Sequence, residues 1–177
     1  KINSLISPTE NEKLETMYQK LGAVETRLQV SESQKDIAAG QPKVAFSAAL
    51  RTSGSGYIGP FTTHIPLQYK RVFSNFGRGY NPATGVFTAM VKGVFYFRYT
   101  MFYNGNANAV VALIKNEEFL VSTWDAVSGN SEDSASNAAI VQLEVGDNVY
   151  VRLSANRRVY EDGGNYNTFS GFLLFTN

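Results

Sequence analysis

The stretch GVFYFRYTMFY, residues 93–103, decides the fold class of this chain. A period of two places Phe95, Phe97 and Tyr99 on one face of an extended strand and Tyr96 on the other. Both faces are rich in rings, so one can fill a core while the other would be an exposed apolar patch unless a neighbouring subunit covers it. The stretch therefore predicts a central β-strand in a self-associating protein. We expect Phe95, Phe97 and Tyr99 to contribute to the subunit contact.

Further strand-like runs lie on both sides of this stretch. They are bounded by turn-rich pieces, and no helical pattern intervenes between them. Many short strands of this kind predict an all-β sandwich or jelly roll and argue against an α/β enzyme fold. The predicted strands are 44–50, 86–90, 93–103, 109–115, 119–123, 139–145, 148–153 and 169–175.

The N-terminal segment has a different period. Ser7-Pro8-Thr9-Glu10 has the form of a helix start, with a capping serine and a proline at the first helical position. Apolar residues then recur at alternating steps of three and four, as in a coiled coil. We expect these residues to line an oligomer interface: Leu14, Met17, Leu21, Val24 and Leu28.

Two interpretations of this helix stay open. It packs on its own domain, or it associates with copies of itself. Gly22 weakens the helix by roughly 1 kcal/mol relative to Ala, and the mixture of Leu, Met and Val does not decide between two and three strands. Because a short helix holds an oligomer weakly, we expect the remainder of the chain to supply most of the association.

The sequence AAGQP at residues 38–42 combines a helix stop with a proline that blocks helix restart. It separates the period of a helix from the period of strands. We therefore predict a helical coiled-coil stalk at 1–38, a hinge at 39–42 and a globular head at 43–177.

Composition narrows the classes of partner. The 177 residues carry a formal net charge of +1, so no global field attracts nucleic acid. No apolar stretch has the length of a membrane span, and we expect no membrane insertion. The absence of cysteine removes disulfides and thiolate chemistry. Since the chain begins at Lys1, we expect a processed or trimmed product.

The spacing of aromatic residues, asparagine and glycine between residues 69 and 99 resembles that of the complement C1q globular-head family, within the C1q and tumour-necrosis-factor-like superfamily. The stretches 43–47, 143–147 and 168–175 are also similar to that family. The resemblance implies a ten-stranded jelly roll that forms a homotrimer about a threefold axis and is secreted to the extracellular space. The residues that carry the central match are Tyr69, Asn75, Tyr80, Phe87, Gly93, Phe95, Phe97 and Tyr99.

Catalytic chemistry is not expected. Serine–histidine–aspartate catalysis would have to use His64, the single histidine, which lies in a loop-like stretch beside Pro66 and is expected to be a surface residue. With one histidine and no cysteine, a closed zinc site lacks ligands. The acidic pairs 117–118, 132–133 and 161–162 fall near turns, where we expect solvated loop charges. The chain is therefore predicted not to be an enzyme.

We expect no cofactor, with calcium as the one metal to be considered. Some C1q-like heads hold calcium near the threefold axis through loop oxygens, as a hard cation prefers. Asn108 and Asn116 stand where related heads can carry Asp, which leaves fewer negative charges for the ion. Weaker candidate ligands in the neighbouring loop are Asp125, Glu132 and Asp133.

The leading functional hypothesis is a trimer, or a higher oligomer, that binds repeated ligands on carbohydrate or microbial surfaces by avidity, as in innate-immune or lectin-like recognition. The alternatives are a signalling or adaptor ligand for a cell-surface receptor, similar to cerebellins or adipokines, and an extracellular structural protein. Ligand contacts are expected in the loops. The candidate ligand-binding residues are Tyr57, Arg78, Asn106, Asp125, Arg158 and Tyr166.

Overall fold

The computed structural model describes residues 8–105, 108–125 and 131–176. The chain divides into two compact units between Gln41 and Pro42. The N-terminal unit is one helix, α1 (Pro8–Gly40), which continues through Gly22. Within the described residues, no helix has the length and apolarity needed to cross a membrane.

The heptad residues of α1 are exposed in the single chain. Leu14 is 40% exposed and Met17 is 66% exposed, with the other three between these values. Leu14, Leu21 and Val24 line a groove of about 460 Å³ along the helix surface. This apolar line is available for contact with another surface, as the coiled-coil prediction requires.

The second unit is built from β-strands. Its described part contains β1 (Ala45–Ala49), β2 (Gly56–Ile58), β3 (Ile65–Pro66), β4 (Arg71–Phe76), β5 (Tyr80–Asn81), β6 (Val86–Thr88), β7 (Gly93–Gly105), β8 (Ala109–Lys115), β9 (Glu118–Asp125), β10 (Ser131–Leu143), β11 (Asn148–Leu153), β12 (Val159–Glu161) and β13 (Thr168–Phe175).

Two antiparallel sheets form a sandwich. The first sheet has the order β10-β7-β13-β1-β4, and the second has the order β5-β6-β11-β8-β9 with β3 paired to β11. The short strands β2 and β12 pair with each other. The two hydrogen-bonded strand orders, five strands in each sheet without β3, together contain ten strands. The prediction of an all-β jelly roll with an N-terminal helix is confirmed.

Strands that the sequence pattern did not predict lie mainly at sheet edges. Strand β4 ends the first sheet on one side, and β10, of which only residues 139–143 were predicted as strand, ends it on the other. The polar run 131–137 is nevertheless strand, because β10 pairs with β7 along its whole length. An edge strand exposes one side to solvent and therefore carries polar residues without a regular apolar alternation.

Strand β7 sends one face into the core. Phe95, Phe97 and Tyr99 are each 0% exposed in the single chain, between the two sheets. The prediction that these three residues lie at a subunit contact is therefore wrong. Both faces of β7 carry rings, and the sequence pattern alone does not say which face points inward. The opposite face, which includes Tyr96 and Phe102, is the half-buried one.

Aromatic packing explains the spacing between residues 69 and 99. The Phe46 ring stacks on Tyr80 with centroids 4.7 Å apart and meets the edge of Phe169 at 4.8 Å. The Tyr80 hydroxyl donates to the Tyr69 carbonyl oxygen at 3.0 Å. The Asn75 amide nitrogen donates to the Tyr80 carbonyl oxygen at 2.8 Å and closes the turn between β4 and β5.

Gly93 is required by a close approach of the backbone. A Cβ atom at this position would lie 2.6 Å from the carbonyl oxygen of Phe175. That separation is well inside van der Waals contact, so any side chain would push β13 away from the start of β7. The glycine lets the last strand of the chain pair tightly with the central one.

Candidate functional site

Four aromatic rings and one arginine gather at one end of the second unit. Strands β2 and β12 place Tyr57 directly opposite Tyr160, and the two rings meet edge to face at 5.3 Å. Phe102, from β7, lies 6.2 Å from Tyr160 and 4.4 Å from Tyr166. Together with Arg158, these residues form what we call the aromatic surface.

Arg158 and Tyr57 form its cationic part. The guanidinium carbon of Arg158 lies 4.1 Å from the centre of the Tyr57 ring, which is the geometry of a cation–π contact. The Tyr57 hydroxyl donates to the Asn104 carbonyl oxygen at 2.8 Å. The ring is thus held from both sides, yet Tyr57 remains 41% exposed. A rigid, exposed ring beside an arginine is typical of residues that dominate binding energy in recognition surfaces.

Tyr166 reaches this surface because a buried carboxylate folds its loop. Glu161 is 0% exposed, and its Oε1 accepts hydrogen bonds from the backbone nitrogens of Asp162 and Tyr166, both at 3.0 Å. Its Oε2 accepts from the Asn167 backbone nitrogen at 2.8 Å. The expectation that Glu161 is a solvated loop charge is wrong, since the carboxylate supplies the acceptors that the turn lacks.

Asn167 joins this loop to the rest of the unit. Its side-chain nitrogen donates to the Tyr160 carbonyl oxygen at 2.6 Å. Its Oδ1 accepts from the Phe102 backbone nitrogen at 2.9 Å, and its carbonyl oxygen accepts from Leu50 at 3.1 Å. One buried amide therefore fixes β12 and β7 in the positions that bring their rings together.

The structure brings together three of the six predicted ligand-binding residues, namely Tyr57, Arg158 and Tyr166. Arg78 is exposed in the turn before β5, where neighbouring Gly77 adjoins Val44. Val44 precedes the start of β1, whereas the aromatic surface lies beyond the other end of that strand. Arg78 is therefore not part of the aromatic surface. Asn106 lies outside the described residues.

The predicted calcium ligands do not form one group. Asn108 precedes β8 and Asn116 follows it, so the strand separates them by roughly 26 Å at 3.3 Å per residue. Asn116 uses its amide nitrogen to donate to Asp147 at 2.7 Å and its oxygen to accept from Asn148 at 2.8 Å. In a single chain Asn108 and Asn116 therefore lie at opposite ends of β8, and their role as calcium ligands stays a prediction.

The acidic candidates lie at the Asn108 end of β8. Asp125 pairs with Ala109 across the strands, and the pKa of its carboxyl is raised by burial and then by the charge of Asp133. Glu132 accepts from the Asn104 amide at 3.0 Å. Among the described residues, no three histidine, cysteine or acidic side chains converge as a metal site would require.

A second exposed feature is a row of apolar residues on the outer face of the first sheet. The register places Ile140 beside Tyr96, Tyr96 beside Phe172, Phe172 beside Ala45, and Ala45 beside Phe76. Ile140 is 66% exposed, Phe172 is 44% exposed and Phe76 is 65% exposed. We call this the outer row. It crosses all strands of the sheet, so it is a continuous apolar band and not scattered single residues.

Sequence reasoning missed Tyr160, Glu161 and Asn167. For Glu161 the pattern held a usable signal, because Val159 and Glu161 are two residues apart and share one face of a strand. Both are buried. Asn167 carries no local signal, since its partners come from strands distant in the chain.

Comparison with known proteins agrees with this architecture. The globular domain of zebrafish complement 1qA protein is 25% identical, with 76% of this chain and 100% of that chain covered and a TM-score of 0.62. Eiger TNF from S. frugiperda is 16% identical, with 77% and 96% covered and a TM-score of 0.64. Murine APRIL is 9% identical, with 75% and 99% covered and a TM-score of 0.59. The last two similarities concern the fold alone.

The family model of the C1q domain matches residues 45–174, which is most of the chain and almost the whole β-sandwich. The residues within that range include the packed rings of the core and the aromatic surface. This chain belongs to the C1q domain family.

Proposed function

We propose that this protein is a secreted, non-enzymatic homotrimer that binds repeated ligands on carbohydrate or microbial surfaces multivalently. The observation that carries the proposal is the aromatic surface, where exposed rings lie beside Arg158 and the buried Glu161 and Asn167 hold the strands and loop that carry the rings. Such rings stack on sugar faces or pack against other apolar groups with little loss of side-chain entropy. Three identical copies on one trimer would raise weak single-site binding by roughly 10²- to 10⁴-fold when ligands repeat.

The outer row supports the trimer. A band of apolar side chains this exposed is covered in most soluble proteins by another subunit. The aromatic surface lies beyond the opposite end of β1, because Ala45 belongs to the row whereas Leu50 contacts Asn167. Association through the row would leave the aromatic surface free for ligand. The helix α1, whose end at Gly40 falls within the predicted hinge at 39–42, would act as a coiled-coil stalk that assists association.

Removal of one ring tests the recognition role. We first identify a glycan on an array, or a bacterial surface, that the intact protein binds. We expect Tyr57→Ala to weaken that binding by at least about tenfold, because losing one strong contact has an effect of this size. Tyr57→Phe keeps the ring and is expected to retain most of the binding. Met90→Ala is the control, since Met90 is exposed outside the aromatic surface.

Two results would overturn the proposal. One is an intact oligomer that binds no glycan or bacterial surface, with calcium or with chelator. The other is a saturable cell-surface protein partner found by cross-linking in the absence of glycan binding. That second result would favour a receptor ligand.

A further inference from the structure

A cleft of about 670 Å³ opens beside the aromatic surface. It is lined by the segment from Leu50 to Ser53, by parts of β2 and β3, and by residues that follow β3. Its volume is within the range of small-ligand sites, which is about 300–1,000 Å³. Nothing in the proposed role of the aromatic surface requires this cleft.

The charge of the cleft is positive and uncompensated. Arg51 and Lys70 both line it, and none of its described lining residues is acidic. Neither cation forms a salt bridge with a carboxylate in the described part of the chain. Arg51 is partly buried, and a cation partly removed from water without a counter-ion gains free energy when an anion binds; Lys70 adds an exposed positive charge at the cleft.

Arg51 is also held in place. One of its terminal nitrogens donates to the Tyr57 carbonyl oxygen at 3.3 Å, while its Nε is buried without a hydrogen-bond partner among the described residues. The guanidinium is thus anchored to β2 but incompletely satisfied. A planar guanidinium in a fixed position suits a carboxylate or sulfate, which accepts two parallel hydrogen bonds.

The remaining lining residues suit a sugar ring. Phe61 is 43% exposed and offers a flat apolar face at the cleft. Thr52, Ser53 and Gln68 are exposed, and no hydrogen bond within the described residues uses their side chains. A pyranose has an apolar face and a rim of hydroxyl groups, so it matches one ring surrounded by free donors and acceptors.

We infer that this cleft binds an anionic sugar residue, with Arg51 and Lys70 holding its carboxylate or sulfate group and Phe61 packing against the ring. The inference rests on the proposed function, since it names a ligand class for the same recognition unit. It adds a second contact beside the aromatic surface. A charged sugar at the end of a glycan would enter the cleft while neighbouring sugars contact Tyr57, whose carbonyl oxygen binds Arg51.

The test is a titration of the full chain by isothermal calorimetry with galacturonate, galactose 6-sulfate and neutral galactose. We expect at least one anionic sugar to bind at least tenfold more tightly than galactose, and the affinity to fall as salt is raised. The two anions separate carboxylate from sulfate as the preferred group. Arg51→Gln and Lys70→Gln are each expected to weaken the preferred anion at least tenfold.

Controls keep the result interpretable. Lys43→Gln removes an exposed charge outside the cleft lining and is expected to leave binding unchanged. Arg51→Lys keeps the charge and the fold but loses the planar fork, so it is expected to bind less tightly than the native chain and more tightly than Arg51→Gln. Equal binding of the anionic and neutral sugars, or binding unaffected by either cleft substitution, would overturn the inference.

Failure of this inference is distinguishable from failure of the proposed function. Titration with a single sugar does not depend on avidity, whereas attachment to a glycan or bacterial surface does. If the oligomer attaches to surfaces but no anionic sugar binds in the titration, the cleft assignment falls and the recognition role stands. If the sugar binds but no surface is recognised, multivalent recognition falls.

Discussion

A single carboxylate, Asp147, fixes the turn between β10 and β11. Its oxygens accept hydrogen bonds from the Glu144 backbone nitrogen at 2.9 Å and from the Asn116 amide at 2.7 Å, and Lys115 lies 3.1 Å away. These contacts, led by the Glu144 N–H, hold the pKa of the Asp147 carboxyl below its ordinary value. The ionised form is therefore the one that the fold prefers.

The pH dependence of stability follows from that direction. A carboxyl whose pKa is lowered by folding stabilises the native state above the unfolded pKa of about 3.9, and the stabilisation is lost as pH falls through the lowered folded pKa. We expect Asp147→Asn to lower the free energy of unfolding at pH 6 and the difference from the native chain to shrink below about pH 4. Urea denaturation at several pH values measures this. Glu25→Gln, on the exposed surface of α1, should show no such convergence.

The loop between β12 and β13 depends on the hydrogen bonds that the buried Glu161 carboxylate accepts. Glu161→Ala would leave the backbone nitrogens of Tyr166 and Asn167 without their acceptor. We expect a loss of about 3 kcal/mol in the free energy of unfolding, the order expected when buried donors lose a charged partner. Chemical denaturation of Glu161→Ala beside the exposed control Glu118→Ala measures the loss. A native-like midpoint for the Glu161 variant would show that solvent replaces the carboxylate.

The accuracy of strand prediction from the sequence depended on strand length. Strands β7, β8 and β11 were predicted nearly to their ends, because β7 alternates buried with half-buried or exposed residues and β8 and β11 are mostly buried. Strands β2 and β12 have three residues each, which is too short for a period to appear. The aromatic surface depends on their pairing, so the sequence named Tyr57, Arg158 and Tyr166 as candidates without predicting that they meet.

The association of the whole molecule depends on which surface makes the subunit contact. If the outer row is the trimer contact, a charge within it must be desolvated on association. We expect the double substitution Ile140→Asp with Phe172→Asp to convert the proposed trimer to monomer in sedimentation velocity. Val145→Asp is the matched control, because Val145 is 67% exposed and lies in the turn after β10.

Comparison with α1 separates the two sources of association. We expect Leu21→Glu to weaken the proposed trimer less than the outer-row substitution does, since one short helix holds an oligomer weakly. Monomer produced by Leu21→Glu alone would place the main contact in the helix. A trimer that persists with both charges in the outer row would show that another face makes the contact.

The sequence by itself determined the helix, the all-β class and the family, because each depends on spacing along the chain: heptads in α1, alternation in the strands, and rings at set intervals. Only the tertiary structure decided that Phe95, Phe97 and Tyr99 face inward and that Glu161 is buried. The physical reason is that burial and proximity arise from contacts between strands distant in the chain, such as Tyr57 with Tyr160. A period along one strand specifies two faces, and the neighbouring sheet selects which of them forms the core.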